Sequence, residues 1–152
     1  MRSARSATPV LPTGIIHGDL FRDNVLWQLP DRSPLGEAAA RSTIAALLDF
    51  ESAHLGPFVY DIAVTLLSWA YGSDLDPAIA RAIVAGYEER RPLAAIERDA
   101  LYDETRLATL RFTITRITDD AIRVGKRWQR FVERREAVER LGPAGLAEVV
   151  GW

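Results

Sequence analysis

His17-Gly18-Asp19-Leu20-Phe21-Arg22-Asp23-Asn24 decides the fold, and the chain is best read outward from it. The stretch lies between two short apolar runs. Ile15-Ile16 ends the first, which begins after Pro12-Thr13-Gly14, and Asn24-Val25-Leu26-Trp27 forms the second. A third run, Thr43-Ile44-Ala45-Ala46-Leu47-Leu48, ends at Asp49 and is followed by Phe50-Glu51. The β-branched content of these runs and their flanking breakers predict strands. Residues Leu29 to Ser42 hold two prolines and a glycine among mixed charges, the composition of a surface loop.

Asp19, Asn24 and Asp49 taken singly are turn-formers. Taken together they form a spaced set with a chemical reading. Phosphoryl transfer needs a positioned acceptor hydroxyl and cations on the phosphates, and little covalent work from the protein. Asp19 is placed to orient a hydroxyl and take its proton. Asn24, at the far end of the same loop, offers a neutral oxygen to Mg²⁺, and Asp49 offers a charged one. Magnesium prefers oxygen ligands and takes few from protein when a substrate's phosphates supply the rest.

The order His-x-Asp-x₄-Asn, followed by Asp-Phe after a strand, resembles the catalytic and metal-binding loops of the protein-kinase-like fold. Gly18 makes the loop similar to that of the aminoglycoside phosphotransferase and choline kinase branch, as does Gly56-Pro57-Phe58-Val59-Tyr60-Asp61-Ile62-Ala63. Within that branch, Asp19 to Leu26, and Leu110-Arg111-Phe112 with Thr115-Arg116, resemble the kinase-like bacterial homoserine kinases. The likeness runs from about Leu11 to Leu141.

The resemblance implies an α+β fold, the C-terminal lobe of a kinase-like phosphotransferase, mostly helical with a small β-rich catalytic segment. It implies ATP and Mg²⁺ as cofactors, Asp19 as catalytic base and Asn24 and Asp49 as metal ligands. His17 and Asp61 would support the loop. It also implies phosphorylation of L-homoserine in threonine biosynthesis. Alternatives are aminoglycoside, choline or another small alcohol as acceptor, or an inactive lobe acting as a binding module or remnant.

A kinase of this fold also has an N-terminal lobe with a glycine-rich loop and a strand lysine for the phosphates. The 16 residues before His17 contain one glycine and no lysine, and the only lysine, Lys126, lies far downstream. The reading is therefore a single domain over 1–152, with the N-terminal nucleotide lobe absent and supplied by the full gene or another chain.

From Pro57 the pattern turns helical. Phe58, Ile62, Leu66 and Trp69 share one face up to Gly72. Asp76-Pro77 opens a second helix with Ile79, Ile83 and Tyr87 on a face, stopped by Pro92. A long helix is predicted over about 95–122, with Leu107, Leu110, Ile114 and Ile117 as its apolar stripe. A last one spans about 126–141, carrying Trp128, Phe131, Val138 and Leu141 and ending at Gly142-Pro143.

The remaining residues of note divide between two readings. Arg22 binds a phosphate or a substrate carboxylate, or pairs with Asp23 or another loop acid. Arg111 and Arg116 recognise an amino-acid carboxylate or, the preferred reading, tie helices together through acids. His54 reads as a loop residue. Trp69, Trp128 and Phe131 read as core. Glu51 lies near the metal ligands without an assigned role.

Composition narrows the remaining classes. The chain has 152 residues, 48% hydrophobic and 26% charged, with a net charge of −2. That charge gives no electrostatic footprint for nucleic acid or an acidic membrane. The absence of cysteine removes disulfides and thiol catalysis. With no signal-peptide pattern and no long apolar run, the expected setting is the cytoplasm, and the expected partner is a small-molecule substrate.

Overall fold

The computed structural model describes residues 10–29, 42–123 and 129–152. Two small antiparallel sheets sit on a helical body. β1 (Thr13–Ile16) pairs with β4 (His54–Pro57), Ile16 opposite His54 and Thr13 opposite Pro57. β2 (Val25–Gln28) pairs with β3 (Thr43–Leu47), with an irregularity between Leu26 and Trp27. The three strands expected from sequence are present. The strand β4 was not foreseen, because Pro57 read as the first turn of a helix. At the sheet edge Pro57 needs no ladder donor, so its place at the strand end is permitted.

The chain then enters α1 (Phe58–Thr65), whose Val59, Tyr60, Ile62, Ala63 and Val64 are all buried. A helix with so broad an apolar face belongs at the centre of a body, and α1 is that centre, with Asp61 on its remaining side. It runs into a π turn, Leu66–Ala70. α2 (Pro77–Glu88) follows, with Asp76 as its N-cap accepting from the N–H groups of Ala78 and Ile79. Its buried residues are Ala80 and Val84, and of the predicted face Ile83 and Tyr87 pack partly against the core while Ile79 is exposed.

α3 (Ala95–Arg123) packs against α1 and against α4 (Gln129–Val150), and α4 also covers α2. The inward face of α3 is Leu101, Thr105, Ala108, Phe112 and Thr113, not the predicted stripe. Leu107 and Ile114 are 53% and 58% exposed, and Leu110 and Ile117 are exposed too. α4 breaks at Gly142, where φ is 64° and ψ −178°, and resumes as helix at Pro143. The predicted stop was right in place, but the chain turns there and continues helical.

Val138 of α4 is fully buried, and Phe131 and Leu141 pack partly against the core. Lys126, Trp128 and the side chain of Arg116 lie outside the described residues, as does most of the predicted 29–42 loop. Among the described residues no helix is long and apolar enough to cross a membrane.

Candidate functional site

β1 delivers His17, and the loop beyond it is fastened at nearly every residue. The Asp61 carboxylate, in the first turns of α1, accepts from the backbone N–H of His17 through Oδ2 and of Gly18 through Oδ1, each at 2.7 Å. Ionised carboxylates make stronger and shorter hydrogen bonds than neutral acceptors, so one side chain pins two successive peptides. Gly18 sits at φ 74°, and a Cβ there would lie 2.9 Å from the Ser52 carbonyl. Only glycine meets both demands without strain.

The His17 ring reads as one tautomer. Nε2–H donates to the Leu48 carbonyl at 2.9 Å, and Nδ1 accepts from the Asp19 N–H at 3.3 Å. A carbonyl can only accept and an N–H can only donate, so the proton is on Nε2. Downstream, Phe21 N–H bonds Asp19 O and Asn24 N–H bonds Phe21 O, forming the 3₁₀ turn Arg22–Asn24. The Phe21 ring meets Phe112 of α3 edge-on at 4.8 Å. The Trp69 indole N–H donates to Leu20 O at 3.0 Å.

Asn24 closes the loop. Its Nδ2 donates to Asp19 O at 2.8 Å, which turns Oδ1 the other way. Its backbone O accepts from Leu48 N–H at 2.9 Å, extending the β2–β3 ladder by one bond. Leu48 therefore takes the His17 ring on its carbonyl and Asn24 on its N–H, and Asp49 is the next residue. Asp49 has φ 61° and ψ 60°, the only non-glycine in the left-handed region among the described residues. That conformation costs about 1–2 kcal/mol for an L-residue, and strain of this kind gathers at functional sites.

Arg111 reaches in from α3. It donates to Gly18 O, to the Tyr60 hydroxyl at 3.3 Å and to Ser52 Oγ at 3.1 Å. It ties the loop to α1 and α3 through a carbonyl and two hydroxyls, where helix-joining acids had been expected. Burial pushes the Tyr60 phenol up, opposed by the Arg111 hydrogen bond and reinforced by the nearby Glu104 and Asp19 charges.

Arg22 likewise has neither Asp23 nor another acid as its partner among the described residues. It donates to Trp69 O and lies over the Trp69 ring at 5.9 Å. His54 belongs to strand β4 instead of a loop, with Nδ1 donating to Ser52 O at 2.8 Å. Glu51 is exposed in the 3₁₀ turn after Asp49. Ser52, Tyr60 and the carbonyl of Leu48 were missed from sequence. Nothing in a serine, a tyrosine or a backbone group marks it as a contact of a loop so distant in the chain.

A hard cation held by this loop would have to share its ligands with a substrate. Asn24 and Asp49 offer two oxygens, and among the described residues no group of three or more His, Cys, Asp or Glu could hold a metal alone. Mg²⁺ is bound by one or two protein oxygens plus phosphates in such sites, not by a full protein cage.

Residues 2–102 match the model of a phosphotransferase enzyme family. The chain belongs to that family. Over 111 residues, 72% of its length, it is 44% identical to a homoserine kinase of Caulobacter sp. (strain K31), covering 31% of that protein. It is 40% identical to a homoserine kinase of Pseudomonas aeruginosa (strain PAO1), with 72% of the chain and 31% of the relative covered. A homoserine kinase of Neisseria meningitidis (strain MC58) is 37% identical, with 72% and 32% covered. The chain thus spans about a third of the length of the curated relatives it matches. In this phosphotransferase-family chain the loop and Asp49 are linked through Leu48, which bonds His17 and Asn24 and precedes Asp49.

Proposed function

We propose that this chain carries the catalytic loop and metal ligands of an ATP-dependent kinase acting on a small-molecule hydroxyl, with L-homoserine as acceptor. The observation that carries the reading is the junction at Leu48, which ties both ends of the His17–Asn24 loop to the residue before Asp49. The relatives named homoserine kinase support the choice of acceptor.

In this reading the Asp19 carboxylate orients the hydroxyl and accepts its proton. The hydroxyl oxygen forms the new bond to the γ-phosphorus as the bond to the departing diphosphate breaks. Asn24 and Asp49 would hold Mg²⁺, which neutralises charge on the phosphates. Asp61, Arg111 and His17 keep Asp19 in position and do not touch substrate.

The test is ADP release with a panel of acceptors: homoserine, choline and an aminoglycoside. Homoserine is expected to give the highest kcat/KM. Asp19→Asn is expected to lower kcat by about 10²–10⁴-fold with the fold intact. Another acceptor leading the panel overturns the homoserine assignment. The assay is run on the chain together with the nucleotide lobe that this reading assigns to the full gene or another chain; equal rates in wild type and Asp19→Asn, or no ADP release with any acceptor, then overturn the kinase reading.

A further inference from the structure

A cavity of about 450 Å³ backs onto the catalytic loop, lined by His54, Pro57, Tyr60, Glu104, Leu107 and Arg111. Two of its walls bear on Gly18. Arg111 donates to the Gly18 carbonyl, and a Cβ at Gly18 would lie 3.2 Å from the His54 ring. The cavity also holds opposite charges that are not paired. Glu104 and Arg111 stand two turns apart on the same side of α3, about 10 Å along its axis. No ion pair joins them among the described residues.

Every hydrogen-bond partner of Arg111 there is neutral: the Gly18 carbonyl, the Tyr60 hydroxyl and Ser52 Oγ. Glu104 is half-buried and has no hydrogen-bond or ion-pair partner among the described residues. Tyr60 Oη accepts from Arg111, which leaves its own O–H to donate, and no acceptor for it lies among the described residues. His54 donates through Nδ1 to Ser52 O, which leaves Nε2 as an acceptor.

Polar groups drawn away from water and left unpaired cost free energy. Here two acceptors and one donor share a cavity and ask for a ligand with the opposite set. Glu104 and His54 Nε2 accept from an ammonium group. The Tyr60 O–H, polarised by the guanidinium behind it, donates to a carboxylate. Pro57 and Leu107 offer an apolar wall to a side chain, and the volume is that of small-ligand sites. A metal ion fits less well, since no group of three or more His, Cys, Asp or Glu comes together among the described residues.

We infer that this cavity binds a small zwitterion of the amino-acid class, its ammonium on Glu104 and His54 and its carboxylate on the Tyr60 hydroxyl, with Arg111 behind it. The acceptor proposed above has that chemistry, and so has any other free amino acid. Only the assignment to the acceptor rests on the proposed function; the site itself does not. Water alone on these groups would leave the cavity indifferent to the charges of a ligand.

The experiment is an NMR-monitored titration of the 152-residue chain. The probes are L-leucine, 3-methylbutylamine (leucine without its carboxylate), 4-methylpentanoate (leucine without its ammonium) and L-homoserine. Wild type is expected to bind leucine about tenfold or more tightly than either half, the scale of one charged hydrogen bond. Glu104→Gln keeps the shape and is expected to erase the preference for the amino acid over the acid. Tyr60→Phe keeps the ring and is expected to erase the preference over the amine. Where a melting curve shows the phenylalanine variant unfolded, Glu104→Gln is read alone and decides.

A preference over the acid that survives in Glu104→Gln overturns the inference, as does a wild type that binds neither amino acid better than the halves. Glu104-dependent binding of homoserine assigns the site to the acceptor; Glu104-dependent binding of leucine alone assigns it to another amino acid. With the nucleotide lobe present, homoserine phosphorylation without any Glu104-dependent binding overturns this site and leaves the kinase reading. Glu104-dependent binding without phosphotransfer does the reverse.

Discussion

Individual side chains at the loop work mainly by removing freedom. Asp61 spends both carboxylate oxygens on backbone N–H groups of His17 and Gly18. Arg111 answers the Gly18 carbonyl, and Asn24 the Asp19 carbonyl. Asp19 therefore sits between peptides held from both sides, the preorganisation that positioning chemistry requires. Nearby Glu104 lines a pocket with Tyr60 and Arg111, and burial followed by the Asp103 charge pushes its carboxyl up. A carboxyl raised in the folded state binds protons more tightly there than in the unfolded chain. Its contribution to stability is then full below the unfolded value and falls as pH rises through the folded one. Glu104→Gln should accordingly raise Tm at neutral pH, with the gain closing as the pH falls to about 4. Thermal melts of both proteins from pH 4 to 8 check this, and a gain that grows toward acid would show the burial reading wrong. At this scale the sequence was most legible. Gly18 and the acids of the loop have demands that follow from their own chemistry and short spacing. Arg111 was less so, because an arginine on a helix does not reveal whether its partner is an acid or a distant carbonyl.

Along α3 the apolar pattern misled. Leu107, Leu110, Ile114 and Ile117 have helical spacing, yet they face outward. The inward face includes Thr105, Thr109 and Thr113, whose hydroxyls donate to Leu101 O, Arg106 O and Thr109 O, each at 2.7 Å. A threonine whose hydroxyl is satisfied by its own helix can be buried as a methyl-bearing residue. Hydropathy counts it as polar and places the stripe on the wrong side. The start of α3 shows a polar group that sequence does not expect inside. Glu97 is fully buried; it meets Arg91 at 2.9 and 3.1 Å and accepts the Ala94 N–H at 3.0 Å. Reaching back three residues to the N–H that precedes the helix is half of a capping box. Arg91 also lies 4.4 Å over the Phe58 ring, so the pair joins the end of α2 to the starts of α1 and α3. Glu97→Ala should cost about 1.5–3 kcal/mol in urea unfolding, the range for losing hydrogen bonds to a charged group, because the Arg91 it leaves behind is partly solvated. Glu97→Gln keeps an acceptor for Ala94 and should cost less. Equal losses would mean that charge alone matters.

The molecule as a whole divides into a body and two strand pairs of unequal support. α1 and the inward faces of α2, α3 and α4 share one core, and β1 enters it through Ile16. The β1–β4 pair turns Ile15 and its partner Leu55 outward, 84% and 74% exposed, while Asp61 and Arg111 clamp the residues that follow β1. The β2–β3 hairpin has less to hold it. Val25 is its only buried residue among those described, and Leu26, Trp27, Ile44 and Leu47 are open. Its hydrogen bonds rest on the ladder, on the Leu48 bond to Asn24 and on the ring contact of Trp27 with Trp69 at 6.1 Å. Sequence gave the strands but not this difference, because burial is decided by what the helices leave uncovered. Segments with few buried apolar contacts open below the global free energy. Backbone amides of β2 and β3 should therefore exchange with solvent about 100-fold faster than those of Ile62 to Leu66, a gap of about 2.7 kcal/mol. Hydrogen exchange read residue by residue measures it. Matching protection in hairpin and helix would make them one cooperative unit, and the junction at Leu48 would then open only when the whole molecule unfolds. The expected gap instead leaves Asp49 on the less stable element and Asp19 on the more stable one, so the separation of the two carboxylates is set by the Leu48 bonds to His17 and Asn24.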